Sequence, residues 1–147
     1  MKLRSIDIRI ISFFRRVSEP AARIGLFVVF FWFGILKVIG LSPATQVVEN
    51  LFQKTIPFMS FSTFIVLFGL LEVLIGILFL VKGAERVVIP VLFLHMATTF
   101  MPLFFLPQET WSGLLVPTLE GQYIIKNLVV IAAAVGVAAN LHPMRQR

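Results

Sequence analysis

The chain has no cysteine among its 147 residues. That excludes disulfides, thiolate metal sites and thiol–disulfide catalysis by this chain. Charge is also scarce. Asp, Glu, Lys and Arg make up 14% of the sequence, about half of the roughly 25% usual in soluble domains. Histidine occurs only as His95 and His142. A haem held by two histidines needs both at membrane depth, and His142 lies beyond the last apolar run, so haem within one protomer is not expected. Zinc needs more ligands than His95 and Glu72 supply, so no metal site is expected. No Ser-His-Asp set, glycine-rich phosphate loop or HExxH motif is present. No complete catalytic constellation can be assembled, and whether the chain is an enzyme stays open.

What the chain has in abundance is apolar sequence, 59% of all residues. It falls into four runs, at 22–41, 61–81, 87–106 and 122–141. Each is close to the roughly twenty residues that cross a bilayer core as a helix. The expected fold is all-α: one four-transmembrane-helix bundle filling residues 1–147, with the lipid bilayer as its main partner.

The net charge of +6 suits nucleic acid in general. Here the basic residues flank apolar runs, which points to membrane orientation and anionic lipid and away from nucleic acid. Lys2, Arg4, Arg9, Arg15, Arg16, Arg23, Lys82, Arg86, Arg145 and Arg147 fall on one side of a four-span protein, against Lys54 on the other. The bias places both termini in the cytoplasm and the two longer loops outside. The first run is too long for a signal-peptide core and no small-x-small site follows it cleanly, so it is expected to be retained.

Residues 3–17 place Leu3, Ile6, Ile10, Phe13, Phe14 and Val17 on one helical face, with Arg9 and Arg16 pointing away. This predicts an N-terminal amphipathic helix lying in the interface. In the first outer loop, Ser42-Pro43 is a helix start signal. Ala44, Val47, Val48 and Leu51 repeat at helical spacing and Pro57 ends the segment, predicting a short helix on the outer surface. The second outer loop, 107–121, is rich in turn residues. Trp111 and Tyr123 suit the interfacial aromatic belt. The small residues from Ala132 to Ala139 allow close helix packing in the fourth run.

Ionisable residues interrupt these runs at Lys37, Glu72, His95 and Lys126. Glu72, at the centre of its run, is costly in hydrocarbon, so it should face the other helices and find a partner, for which the other three are candidates. At about 1.5 Å per residue, Glu72 and His95 both lie roughly 16 Å below the outer ends of their runs, and Lys37 about 6 Å below its own. Side chains lean toward the N-terminus of their helix. Lys37 therefore leans into the membrane and Glu72 leans up to meet it, which predicts a Lys37–Glu72 pair. Gly34 shares a face with Lys37, while Gly69 and Gly76 share one with Glu72. His95, Thr98, Thr99 and Pro102 form one stripe, and Pro102 cannot donate to the Thr98 carbonyl. Lys126 and Asn127 lie one turn into the fourth run, where Lys126 leans outward and either snorkels to the interface or pairs with Glu120. The cluster belongs to the outer half. Such a site suits a quinone-like or other small apolar ligand with a polar head, or a proton relay.

Several motifs resemble a known family. Trp32-Phe-Gly-Ile-Leu-Lys37 resembles the first-span signature of DoxX-like integral membrane proteins. Gly69-Leu-Leu-Glu72-Val-Leu-Ile-Gly76 resembles the G-x-x-E-x-x-x-G of their second span. Pro107-Gln-Glu-Thr-Trp111 and Glu120-Gly-Gln-Tyr-Ile-Ile-Lys126-Asn127 resemble the last outer loop and fourth span of the YkgB/RclC branch. The resemblance implies a bacterial inner-membrane bundle linked to reactive-chlorine or oxidative stress. More distant relatives include a subunit of a thiosulfate:quinone oxidoreductase, so a quinone ligand and a redox partner protein are implied as well. The chain departs from the branch in its shorter first outer loop and in Asn127, where an acidic residue is common.

Two functional classes follow. One is a stress-associated protein binding a small lipophilic or redox-active molecule at Lys37, Glu72 and His95, or serving as a subunit of a quinone-linked redox complex. The other is a non-catalytic protein whose cluster only fixes helix packing or docks a partner, a second copy included. A transporter is a weaker third, because four spans are few.

Overall fold

The computed structural model describes residues 2–56 and 58–141. Pro57, His142, Arg145 and Arg147 lie outside the described residues. The chain runs α1 (Lys2–Val38), α2 (Thr45–Thr55), α3 (Phe61–Leu80), α4 (Glu85–Phe100), α5 (Pro102–Phe105), α6 (Pro107–Thr110), β1 (Trp111–Gly113), β2 (Val116–Pro117) and α7 (Leu119–Ala138). Four helices are long and apolar enough to cross a membrane: α1 from Ile6 on, α3, α4 with α5, and α7. This is an all-α, multi-pass membrane bundle. In it α1 packs chiefly on α3, while α7 touches both α1 and α4.

The amphipathic segment is helical, as its spacing predicts, but it is not a separate element. It runs straight into the first span as one helix of 37 residues. At 1.5 Å per residue α1 is about 55 Å long, well beyond the roughly 30 Å of a hydrocarbon core. Pro20 lies inside it without ending it, although proline removes a backbone donor there. The Glu19–Arg23 ion pair, 2.9 Å long, staples the turn that contains the proline.

Helix α1 ends at a glycine cap. Gly40 has φ +73°, a conformation glycine adopts without a Cβ penalty. The Leu41 N–H donates to the Leu36 carbonyl at 2.8 Å and Gly40 N–H to the Lys37 carbonyl at 3.2 Å, which satisfies orphan carbonyls of the last turn. Helix α2 begins two residues later than Ser42-Pro43 suggests. Ala44 is its N-cap, and Ser42 instead accepts from the Ala44 and Thr45 N–H groups. The second outer loop is more ordered than its turn-rich composition suggests, holding α6 and an antiparallel hairpin with Trp111 opposite Pro117.

Close approach of α1 and α3 rests on glycine. A Cβ at Gly34 would lie 2.6 Å from the Gly69 carbonyl oxygen, and one at Gly69 would lie 2.8 Å from that of Gly34. At Gly76 it would lie 2.8 Å from the Phe31 backbone nitrogen. Small residues let backbones meet where lipid offers no hydrophobic drive for association. The apolar core lies beyond this crossing, away from α2. It is built from Leu26, Phe30, Ile75, Phe79, Val88, Leu92, Met96, Ala134 and Val137.

Replacing Gly69 with alanine should therefore cost about 1–3 kcal/mol by overpacking. Gly25→Ala, where a Cβ meets nothing within 4 Å, should be neutral or stabilise by up to about 1 kcal/mol. Thermal unfolding in mild detergent reads both, and equal midpoints for the two variants would refute a backbone-close crossing.

Candidate functional site

The glycine crossing places Lys37 of α1 one turn from Gly34 and Glu72 of α3 one turn from Gly69. The Lys37 ammonium donates to Glu72 Oε2 at 2.6 Å. From α4, His95 Nε2 lies 3.2 Å from the other carboxylate oxygen, Oε1. One carboxylate thus holds partners from two other helices, one on each oxygen. All three residues are buried, with exposures of 7% for Lys37, 6% for Glu72 and 4% for His95. Charges taken out of water stay there only when paired and hydrogen-bonded, and this arrangement pairs them.

Aromatic rings surround the triad. The His95 ring lies 4.8 Å from that of Phe68 and 5.6 Å edge-on to that of Phe30, centroid to centroid. The Lys37 ammonium sits 5.8 Å from the Phe68 centroid. Facing a carboxylate oxygen, His95 Nε2 is the nitrogen that carries hydrogen, which leaves Nδ1 as an acceptor in the neutral ring. Nδ1 is buried and has no hydrogen-bond partner. Buried polar atoms of this kind are uncommon in folded proteins.

Thr98 and Thr99 stand on the same stripe of α4, but their hydroxyls turn back to the helix. Both donate to the His95 carbonyl, at 2.7 and 3.0 Å. The Thr98 carbonyl, which Pro102 cannot serve, accepts from the Met101 N–H at 3.2 Å. A tighter local turn replaces the missing bond, and the span breaks into α4 and α5 at that point.

Above the triad lies a cavity of about 510 Å³, within the range of small-molecule sites. Lys37, Glu72, His95, Thr98 and Thr99 line it, together with Phe64, Phe68, Val91 and Ile124. Its roof is α2, which contributes Val47, Val48, Leu51, Phe52 and Thr55. Two polar bonds tie the roof to the far side. Asn50 Nδ2 donates to Glu109 Oε1 at 3.0 Å, and Lys54 Nζ to the Phe105 carbonyl at 3.1 Å. The roof residues follow from the helical spacing of the first outer loop, whereas nothing local in the sequence indicates that α2 folds back over the triad.

Lys126, Asn127 and Glu120 do not join this group and do not line the cavity. Lys126 is exposed and sits 5.1 Å from the Tyr123 ring centroid. Glu120 is exposed and Asn127 half-buried. Among the described residues no ion pair links Lys126 to Glu120. Helix α7 turns Ile124, not Lys126, toward the cavity.

A second polar knot lies at the opposite end of the bundle. The Arg23 guanidinium binds Glu19, the Phe79 carbonyl and Glu85, so it joins α1, the end of α3 and the start of α4. Glu85 is only 4% exposed. In the sequence Arg23 reads as one more basic residue at a membrane edge, and only its i,i+4 spacing from Glu19 hints at pairing. Among the described residues no group of three or more His, Cys, Asp or Glu could hold a metal ion.

No protein family, curated protein or solved structure matches the chain.

Removing one member of the Lys37–Glu72 pair leaves a buried charge uncompensated. Lys37→Met or Glu72→Met alone should destabilise the bundle by about 3–5 kcal/mol, and the double substitution should recover most of that loss. A double-mutant cycle on unfolding in detergent measures the coupling, and simple additivity would contradict the pairing.

Proposed function

We propose that this chain is a bacterial inner-membrane protein of the DoxX-like, YkgB/RclC type that binds a small lipophilic, quinone-like molecule in the α2-roofed cavity. The observation that carries the reading is a cavity of about 510 Å³ whose floor holds Lys37, Glu72 and His95. An ordinary packing site in a membrane bundle has no reason to keep three ionisable groups beneath an open volume. The ammonium of Lys37 has one hydrogen-bond partner among the described residues, Glu72, so it has hydrogens to give to a ligand oxygen. The apolar walls suit the body of such a molecule. Both termini belong in the cytoplasm on the distribution of Lys and Arg. The link to oxidative or reactive-chlorine stress, and a role as a subunit beside a redox partner, rest on the motif resemblance at Trp32–Lys37, Gly69–Gly76 and Glu120–Asn127.

The competing reading is a structural clip with no ligand. It draws support from Glu72, whose two oxygens are both already engaged.

The test is mass spectrometry of small molecules that co-purify in mild detergent. Wild type should carry a quinone or similar lipophile that Glu72→Gln and the double Lys37→Met/Glu72→Met variant lose at matched folded yield. Identical, lipid-only extracts from all three proteins would favour the clip.

A further inference from the structure

The walls of the cavity are not uniformly buried. Leu71 on α3 and Leu94 on α4 both line it, yet Leu71 is 36% and Leu94 is 71% exposed. Thr98, one turn further along α4, lines it and is exposed as well. A side chain that touches both a cavity and the outside stands at its mouth. Leu71 precedes Glu72 and Leu94 precedes His95, so this mouth lies at the depth of the polar triad. It opens on the lipid-facing side between α3 and α4, whose backbones approach each other at fewer points than those of α1 and α3. Toward the α2 end the cavity is covered by the roof and its two polar ties. There the exposed lining residue is Ala44 at the N-cap of α2.

We propose that the ligand reaches the cavity sideways from the bilayer, through a portal between Leu71 and Leu94, and not through the α2 roof. This rests on the ligand-binding reading above and narrows the ligand class. The occupant is a membrane-partitioned amphiphile whose head carries an acceptor oxygen for the Lys37 ammonium. Its alkyl or isoprenoid tail remains in the portal, among acyl chains. A tail needs no enclosure where the surrounding solvent is itself hydrocarbon, so a cavity of this size can serve a molecule longer than itself. The portal edges are two leucines and Thr98, whose hydroxyl is already spent on the His95 carbonyl, so a tail can pass without stripping water from an unpaired polar group. A polar, water-borne ligand would have to displace the roof, breaking the Asn50–Glu109 and Lys54–Phe105 bonds.

The experiment uses full-length protein in liposomes and a long-chain fatty ketone carrying a photoreactive diazirine beside the carbonyl. Peptide mapping reads the rate of labelling on the floor and at the lining residues Phe68 and Ile124 beside it. The absence of cysteine lets Asn50→Cys/Glu109→Cys be joined by a short bis-maleimide, which adds one thiol at each end and fastens the roof. Leu94→Trp and Leu71→Trp narrow the portal from opposite edges at lipid-exposed positions, where added bulk does not disturb the core. Floor labelling should persist with the roof fastened and should slow about tenfold in each tryptophan variant, as a raised passage barrier requires. Labelling that stops when the roof is fastened, or that both tryptophan variants leave unchanged, overturns the lateral portal while leaving the binding site standing. No floor labelling in any of the proteins overturns the binding site and the portal together.

Discussion

The carboxylate of Glu72 is the point on which the centre of the bundle depends. It is buried in a helix that is otherwise almost wholly apolar, where an unpaired charge would be prohibitive. Its two oxygens reach Lys37 and His95 on two other helices. The requirement that this group be satisfied therefore sets the relative height of α1, α3 and α4. Apolar packing alone would let helices slide along one another at little cost, since lipid and leucine are alike as solvents. A buried polar contact has no such freedom.

That contact is possible because the neighbouring backbones nearly touch. Gly34 and Gly69 are one helical turn from Lys37 and Glu72 respectively, and a Cβ at either would strike the opposite backbone. The short reach between ammonium and carboxylate follows from the missing side chains. At the other end of the bundle Arg23 performs a related task, joining Glu19, Glu85 and the end of α3. The bundle is thus tied at two levels, with the apolar cluster of Leu26, Phe30, Ile75, Phe79, Val88 and Leu92 between them. The half beyond Glu72 is left less filled, and the cavity occupies it beneath α2.

The break at Pro102 contributes to that openness. It ends α4 at Phe100, and the single turn of α5, then α6 and a hairpin, follow in place of one continuous helix. Those turns supply Glu109 and the Phe105 carbonyl that hold the roof. A proline that looks only like a helix defect in one span positions the partners of a helix elsewhere in the chain. The threonines before it are spent on the His95 carbonyl, which leaves the triad as the polar part of the floor.

Much of this was determined by the sequence alone. Span number and position follow from apolar runs of bilayer length, because every backbone group in lipid must be satisfied within a helix. The Lys37–Glu72 contact follows from depth and from the lean of side chains along opposed helices. The glycines on both faces follow from the same register. Only the tertiary structure decided the rest. Hydropathy cannot tell which way a helix is rotated, so Lys126 reads as a member of the cluster although α7 turns Ile124 inward and leaves Lys126 by Tyr123. Local periodicity indicates that residues 45–55 are helical but not what they cover. An amphipathic stretch at 3–17 and an apolar run from 22 read as two separate helices, whereas one helix runs through both, with the Glu19–Arg23 pair across Pro20. The Arg23–Glu85 contact joins residues 62 positions apart, a separation that no local pattern encodes.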